Sequence, residues 1–382
     1  MKLDKSQWEP VKFGEVVSNN TKALKDPLKN GVKYALGLDN FEPQNLTPIS
    51  KIDIEKEGTK FSRYFEEGQL LFGSRRSYLR QMVVAPFCGV CTANIMVFDT
   101  KDKEKISRDF ISLIFQSNRF IDFASGTSVG SLFPNAKWNS LKNFKFKLPD
   151  PDTQISIFQV FTSIQYQIDK SIEQHRKIKD TKDELFRDLF TNNKPFNKIT
   201  YDKFSFGNLA SNQSKRINPS ETDLKVYVGL EHLDPNSLII NRTGVPSDVK
   251  GTKLLIFKGD IIFGKRRAYQ RKIAVSHFDG ICSAHSMVLR SKDENVKKEF
   301  LPYFMQSDEF MNRAVQISEG SLSPTIKWKV LEKQEFTLPK MKFQEELVET
   351  FIQFDKLMID LKKQVEALKK LKQKLLDEIL KI

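Results

Sequence analysis

The residues best suited to chemistry in this sequence are arginines. Gly73-Ser74-Arg75-Arg76-Ser77-Tyr78-Leu79-Arg80 places three guanidiniums and a phenol within eight positions. Gly264-Lys265-Arg266-Arg267-Ala268-Tyr269-Gln270-Arg271 repeats the pattern. A guanidinium is a planar, permanently charged fork of donors that matches phosphates and guanine edges. The leading glycine permits close approach or an unusual backbone. Residues shared by both copies suit sequence-independent phosphate contacts, which position a protein on a duplex without specifying bases. Arg75, Arg76, Arg80, Arg266, Arg267 and Arg271 are therefore expected to grip a polyanion backbone, with Tyr78 and Tyr269 lying along it or beneath the arginines. Lys265 joins this set. Base reading is expected where the copies differ: Ser74 against Lys265, Leu79 against Gln270, and Asn94 against His285. Asn and Gln match adenine, and Lys matches guanine. The competing reading is a solvated hairpin with ordinary surface arginines, and Asn94 and His285 as satisfied polar groups on strands.

Other chemistries find little support. There is no G-x-x-x-x-G-K-[ST] loop, and no G-x-G-x-x-G opens a helix. The four histidines, His175, His232, His277 and His285, form no H-E-x-x-H. Cys88 and Cys91 are spaced as C-x-x-C, but no second pair follows at zinc spacing. Cys91 aligns with Cys282 while Cys88 aligns with Asp279, so small buried thiols on strands are expected and no metal. Asp180-Thr181-Lys182 imitates a nuclease D-x-K, yet it falls within a long helical pattern. No catalytic residue is assigned.

The arginine segments belong to a long internal repeat. Residues 72–98 and 263–289 align without a gap, with 13 of 27 positions identical. Leu36–Leu46 mirrors Val228–Leu238, and Phe13-Gly14 mirrors Phe206-Gly207. Gly130-Ser131-Leu132, Lys137-Trp138 and Leu148-Pro149 mirror Gly320-Ser321-Leu322, Lys327-Trp328 and Leu338-Pro339. Each copy opens with a β-rich stretch containing runs such as Gln81–Val84, Ile95–Phe98, Lys272–Val275 and Ser286–Leu289. A shorter helix is expected at Asp109–Phe123 and at Glu299–Val315, and the tryptophans are expected in the core. Each copy then ends in a helix of about 40 residues, ~60 Å long.

The first long helix, from about Asp152 to Phe190, has an apolar seam of Ile157, Phe161, Ile164, Ile168, Ile172, Ile178, Leu185 and Leu189. His175 and Lys182 fall where the seam calls for apolar groups, as residues that set register often do. The second, from about Lys342, carries Phe354, Met358, Leu361, Val365, Leu368, Leu371, Leu375, Ile379 and Ile382. Sustained heptads need a partner along their length, and the economical partner is the twin helix in antiparallel pairing. The expected fold class is α+β, with two similar globular domains separated by two long antiparallel coiled-coil helices. The divisions are 1–150 and 193–340 for the domains, and 151–192 and 341–382 for the helices.

Composition fits a DNA-binding reading. Lys and Arg total 62 against 48 Asp and Glu, a net charge of +14. Such a balance favours a polyanionic partner. Further cations fall in variable loops, at Lys22, Lys25, Lys29, Lys33, Lys215, Arg216 and Arg242. Three cysteines exclude a disulfide scaffold. The first residues lack the apolar core of a secretory signal and no stretch suits a membrane span, so a cytoplasmic protein is expected.

The doubled order of motifs resembles the specificity subunit of type I restriction-modification systems. The likeness rests on Trp8–Val16, on the Gly-Ser segment before Lys-Trp and Leu-Pro, and on the helix end Leu185-Phe-Arg-Asp-Leu-Phe190. It implies two target-recognition domains reading the halves of a split site in double-stranded DNA, with the helices fixing the gap. It implies no active site of its own, docking of two methyltransferase (M) subunits that methylate adenine N6, and restriction (R) subunits completing the complex. S-adenosylmethionine, ATP and Mg would reside on those partners. Recognition domains within one such subunit are commonly dissimilar, so the closeness of these two implies related half-sites. The alternatives are a stand-alone architectural DNA-binding protein and a nuclease with an unrecognised site.

Overall fold

A computed structural model describes residues 4–43, 45–130, 132, 134–190 and 199–381. Ser131, Ile382 and the boundary expected at 192–193 lie outside these. The chain forms two compact units, one of residues 1–172 with 362–382 and the other of residues 173–361.

The first unit is built on a four-stranded antiparallel sheet in the order Val17–Asn20, Ile95–Thr100, Leu70–Gly73, Met82–Val84. A second sheet runs Ile52–Asp53, Tyr34–Leu36, Gly89–Cys91, Arg63–Phe65, with its middle pair parallel. Glu9–Lys12 pairs with Lys145–Leu148. The second unit repeats the first sheet as Ala210–Gln213, Met287–Ser291, Ile261–Phe263, Ile273–Val275. It also pairs Tyr201–Ser205 with Glu335–Pro339. The other sheet differs only in how far its edges pair. Ile52–Asp53 flanks Tyr34–Leu36 in the first unit, where the second has a single bridge of Tyr227 to Gly244; Arg216–Ile217 pairs with Lys253–Ile256 in the second unit, where the first has a single bridge of Ala23 to Arg63.

Phenylalanine fills both cores. Phe13, Phe98, Phe115 and Phe120 pack edge-to-face or tilted, with Trp138 5.6 Å from Phe98. Phe206, Phe310 and Phe336 do the same, with Trp328 6.0 Å from Phe206. Both tryptophans are half-buried and pack against the edge of their cores. Cys91 and Cys282 are buried on strands, and burial pushes each thiol up to about 12.

The shorter helix expected in each copy is two helices. Arg108–Gln116 and Asn118–Gly126 meet at Ser117, and Phe300–Gln306 and Asp308–Gln316 meet at Ser307. Each serine leaves the helical region, and its hydroxyl accepts from the N–H of Phe120 or Phe310. That N-cap starts a new helix although the apolar period continues through it.

The long helices are Pro151–Phe190 and Met341–Leu380, each of 40 residues. Within each unit their segments pair antiparallel. In the first, Ile157 and Phe161 share a core with Leu376, Ile379 and Leu380, and Lys372 donates to Gln165 at 2.8 Å. In the second, the Phe186 ring lies tilted 4.4 Å from that of Phe351, and Lys182 meets Asp355 at 2.5 Å. Two seam assignments shift by one residue. Ile172 and Leu371 are exposed, and Ser171 and Lys372 take the inward positions. Lys182 does occupy the seam, at 7% exposure, with its ammonium on Asp355.

One twin position inverts its charge. In the first unit Asp99 receives two bonds from Arg108, at 2.8 and 2.7 Å, and others from Gln69 and the Thr100 N–H. In the second, the residues aligned with Gln69 and Asp99 are Asp260 and Arg290, which pair directly at 2.8 Å. Burial alone would raise the Asp99 carboxyl, but the Arg108 guanidinium, Gln69 and the Thr100 N–H hold it below the ordinary value. A depressed carboxylate contributes stability above its unfolded pKa of ~3.9, and that contribution is lost as pH falls through the folded value. Asp99→Ala is expected to cost about 1.5–3 kcal/mol at neutral pH, the range for hydrogen bonds to charged groups. The cost should shrink toward zero in an acid titration of unfolding, and a pH-independent cost would contradict the assignment.

Candidate nucleic-acid interface

Each arginine segment is the loop of a hairpin. Leu70–Gly73 pairs with Met82–Val84, and Ile261–Phe263 with Ile273–Val275. Gly73 and Gly264 are needed for close approach. A Cβ on Gly73 would stand 2.9 Å from Leu38 and 3.2 Å from the Gln81 carbonyl, and Gly264 is similarly hemmed by Leu230 and Lys272.

Between the strands, the loop makes one 3₁₀ turn, Ser77–Leu79 or Ala268–Gln270, bracketed by arginines in the left-handed region. Arg76, Arg80, Arg267 and Arg271 have φ of 55°, 56°, 57° and 54°. Among the described residues, Asn236 is the only other non-glycine residue with positive φ. Such a conformation costs about 1–2 kcal/mol per residue for a side chain with a Cβ. Its recurrence at both loops fits the tendency of backbone strain to gather at functional sites.

The surrounding structure holds this strain in place. The Arg76 N–H donates to the Pro134 carbonyl, and the Arg267 N–H to that of Pro324, both at 2.8 Å. Arg75 bridges to Asn135, and Arg266 to Thr325. The segment preceding Lys-Trp therefore acts as a buttress, a role hidden in the sequence behind the repeated Gly-Ser-Leu. The helices Asn118–Gly126 and Asp308–Gln316 pack beneath the two turns.

The arginines divide into two kinds. Arg80 bends into its unit, donating to the Gln116 carbonyl and the Asn118 side chain, and Asn118 in turn binds Asp377 at 2.8 Å. Arg271 donates to Asn236 at 2.7 Å, to Asp308 at 2.9 Å and to the Gln306 carbonyl. Both caps sit at helix C-termini, where a cation is favoured. Their donors are committed to the fold, so they hold the turn and do not present it. Arg267 is exposed and Arg266 half-buried, and the two share the Ser323 hydroxyl at 3.3 and 3.1 Å. Arg75 and Arg76 are half-buried, and Tyr78 and Tyr269 are 53% and 56% exposed.

The expected base-reading positions separate as well. Ser74 is 2% exposed and its hydroxyl donates to the Asn94 carbonyl at 2.8 Å, so it cannot meet a base. Asn94 and Gln270 are half-buried, and His285 is exposed. The His285 ring nitrogen lies 3.2 Å from Arg266. Partial burial, then Arg266, Lys265 and Lys253, push its pKa below the ordinary value, which leaves the ring neutral at pH 7. Lys265 is half-buried, and its pKa is lowered by that burial and by Arg216. The second unit thus sets Arg266, Lys265 and Lys253 about the His285 ring, with Arg216 acting on Lys265. Arg216 was expected only as a loop cation; it lies on a strand whose counterpart in the first unit is the shorter bridge of Ala23 to Arg63, where alanine stands in place of the arginine. Among the described residues, no cluster of three or more His, Cys, Asp or Glu is placed to hold a metal, and no helix is long and apolar enough to cross a membrane.

Two α+β units, each with a buttressed cationic hairpin and a pair of long helix segments, define a duplicated recognition-domain architecture. The chain belongs to the type I restriction modification DNA specificity domain family, whose model matches residues 5–180 and again 195–372. The fold is shared with solved structures. A chain from a study of complex assembly and conformational transition in the type I R-M system matches with a TM-score of 0.64 at 16% identity, over 97% of each chain. The S subunit of a type I restriction-modification system from M. genitalium matches with a TM-score of 0.61 at 12% identity, over 100% of this chain and 98% of that one. The HsdS subunit from Thermoanaerobacter tengcongensis gives 0.53 at 16%, with the same coverage. No curated protein matches the chain.

Proposed function

We propose that this chain is the DNA-reading subunit of a type I restriction-modification complex, with each unit holding one half of a bipartite duplex target. The observation that carries this reading is the strained arginine turn, built twice in a chain whose family model also matches twice. Arg75, Arg76, Arg266 and Arg267, with Tyr78 and Tyr269, contact the sugar-phosphate backbone. Arg80 and Arg271 position the turns. Lys265, Gln270, His285 and Asn94 contribute to base choice. The chain itself performs no chemistry. It docks two methyltransferase subunits, and restriction subunits where present, which bring S-adenosylmethionine, ATP and Mg. The long helices set the gap between half-sites, in the cytoplasm of the host.

Methylome sequencing of a strain with and without the gene tests this. The expected result is a split adenine-methylated motif that appears only with the gene, with related halves because the two hairpins are so alike. No gene-dependent methylation would remove the function. Unrelated halves would remove only the inference from similarity. A methyltransferase is expected to co-purify with the chain, whereas a stand-alone architectural protein would come down without one.

A further inference from the structure

The loop that buttresses each arginine turn also ends in an exposed leucine. Leu322 is 91% exposed and Leu132 is 82% exposed, the two highest values among exposed large apolar side chains of the described residues. Single exposed leucines are ordinary on protein surfaces. These two occupy the same position of the repeat, directly after a Gly-Ser pair. In the second unit, Glu319 and Thr325 exchange backbone hydrogen bonds at 3.1 and 2.9 Å, closing a narrow loop. Gly320, with φ of 106°, turns the chain out to Leu322 in a conformation that disfavours other residues. The next residue, Ser323, accepts from both Arg266 and Arg267. The Pro324 carbonyl accepts from the Arg267 N–H. An isobutyl group thus stands in solvent at the edge of the cationic hairpin, two bonded links from guanidiniums suited to phosphate.

We propose that Leu322, and Leu132 at the twin position, are apolar wedges that enter a base step of the duplex and unstack it while the neighbouring arginines hold the phosphates. The proposal rests on the DNA-reading function above. Leucine is one of the side chains used for such insertion, whose cost in lost stacking is offset by contact along a bent duplex. Removing the apolar surface of a leucine from water favours its insertion. The wedge adds readout through deformability: steps that unstack readily are favoured at the position it enters, without a hydrogen bond to either base.

The test uses the full chain alone, so that no methyltransferase flips a base. Duplexes carry the target found by methylome sequencing, with 2-aminopurine placed at successive steps. Bound wild-type chain is expected to raise fluorescence several-fold at one step of a half-site. Leu322→Ser is expected to abolish that rise, lower affinity about tenfold, as for loss of one buried apolar group, and leave thermal unfolding unchanged. A mismatch at that step should tighten binding of the wild type and not of the variant. A wild-type chain that binds with every 2-aminopurine still quenched overturns the wedge alone. A wild-type chain that binds no duplex overturns the DNA reading and the wedge with it. If Leu322→Ser binds DNA normally but no longer retains the methyltransferase, the tip is a protein contact and the wedge is wrong.

Discussion

Lys182→Met is expected to destabilise the second unit by about 2–3 kcal/mol, while Lys372→Met, the same change at the twin position, is neutral or stabilising by up to about 1 kcal/mol. Both lysines lie in the helix seam, and aligned partners face them, Asp355 for Lys182 and Gln165 for Lys372. Asp355 accepts from Lys182 at 2.5 Å and from the Tyr303 hydroxyl at 2.8 Å, and Lys182 also lies over the Phe186 and Tyr303 rings. Burial and the Asp355 charge push the Tyr303 hydroxyl well above its ordinary value, so it stays a donor. Removing Lys182 leaves a carboxylate that is mostly enclosed, with one neutral partner. Breaking a fully buried pair costs about 3–5 kcal/mol, and the partial exposure of Asp355 lowers that figure.

Lys372 has a neutral amide in place of a carboxylate. Burial lowers its pKa, and Asp169 only partly opposes this. A lysine whose folded pKa lies below its unfolded value disfavours folding wherever it is charged, which includes neutral pH. Methionine fills the same seam without that burden. The double change Lys182→Met with Asp355→Leu should recover most of the loss, since an apolar replacement of a buried pair is often neutral. Unfolding should be followed by hydrogen exchange in each unit separately, because a two-unit chain need not unfold in one step. Equal effects at Lys182 and Lys372 would show that Asp355 does not make the difference.

These twin sites show where the sequence was readable. Ile157, Phe161, Ile168 and Leu189 announce the helix seam because apolar periodicity is a property of side chains alone. Ser171 and Lys372 do not, since their inward positions depend on what faces them, and the neighbouring Ile172 and Leu371 draw the pattern one residue off. The break at Ser117 and Ser307 was hidden for a related reason: one capping hydroxyl outweighs a continuing apolar period. In the candidate interface, residue type pointed to arginine chemistry, but not to the division of labour. Left-handed backbone is written in sequence mainly as glycine or asparagine. At Arg76, Arg80, Arg267 and Arg271 it is imposed by the buttress and the underlying helix, both distant in the chain. That geometry turns Arg80 and Arg271 inward and buries Ser74.

The same strain yields a prediction in which stability and binding move in opposite directions. Arg267→Gly removes both the Cβ that disfavours φ of 57° and the surface guanidinium. Stability should rise by about 1 kcal/mol, the gain for a glycine placed where the backbone is left-handed. DNA affinity should fall about tenfold or more, as for loss of a charge-assisted hydrogen bond of ~1.5–3 kcal/mol. Arg267→Ala should lose the same affinity with no gain in stability, because alanine keeps the Cβ. If Arg267 holds a phosphate, the loss is uniform across sequences and the slope of log affinity against log salt becomes shallower by about one. If it reads a base, the loss is confined to the cognate site and the salt slope changes little. Arg271→Ala separates positioning from contact. Its guanidinium binds Asn236, Asp308 and the Gln306 carbonyl, so stability should fall, and affinity should fall only as far as the turn loosens. Glycine and alanine variants of Arg267 with equal stability would mean that the left-handed turn stores no strain.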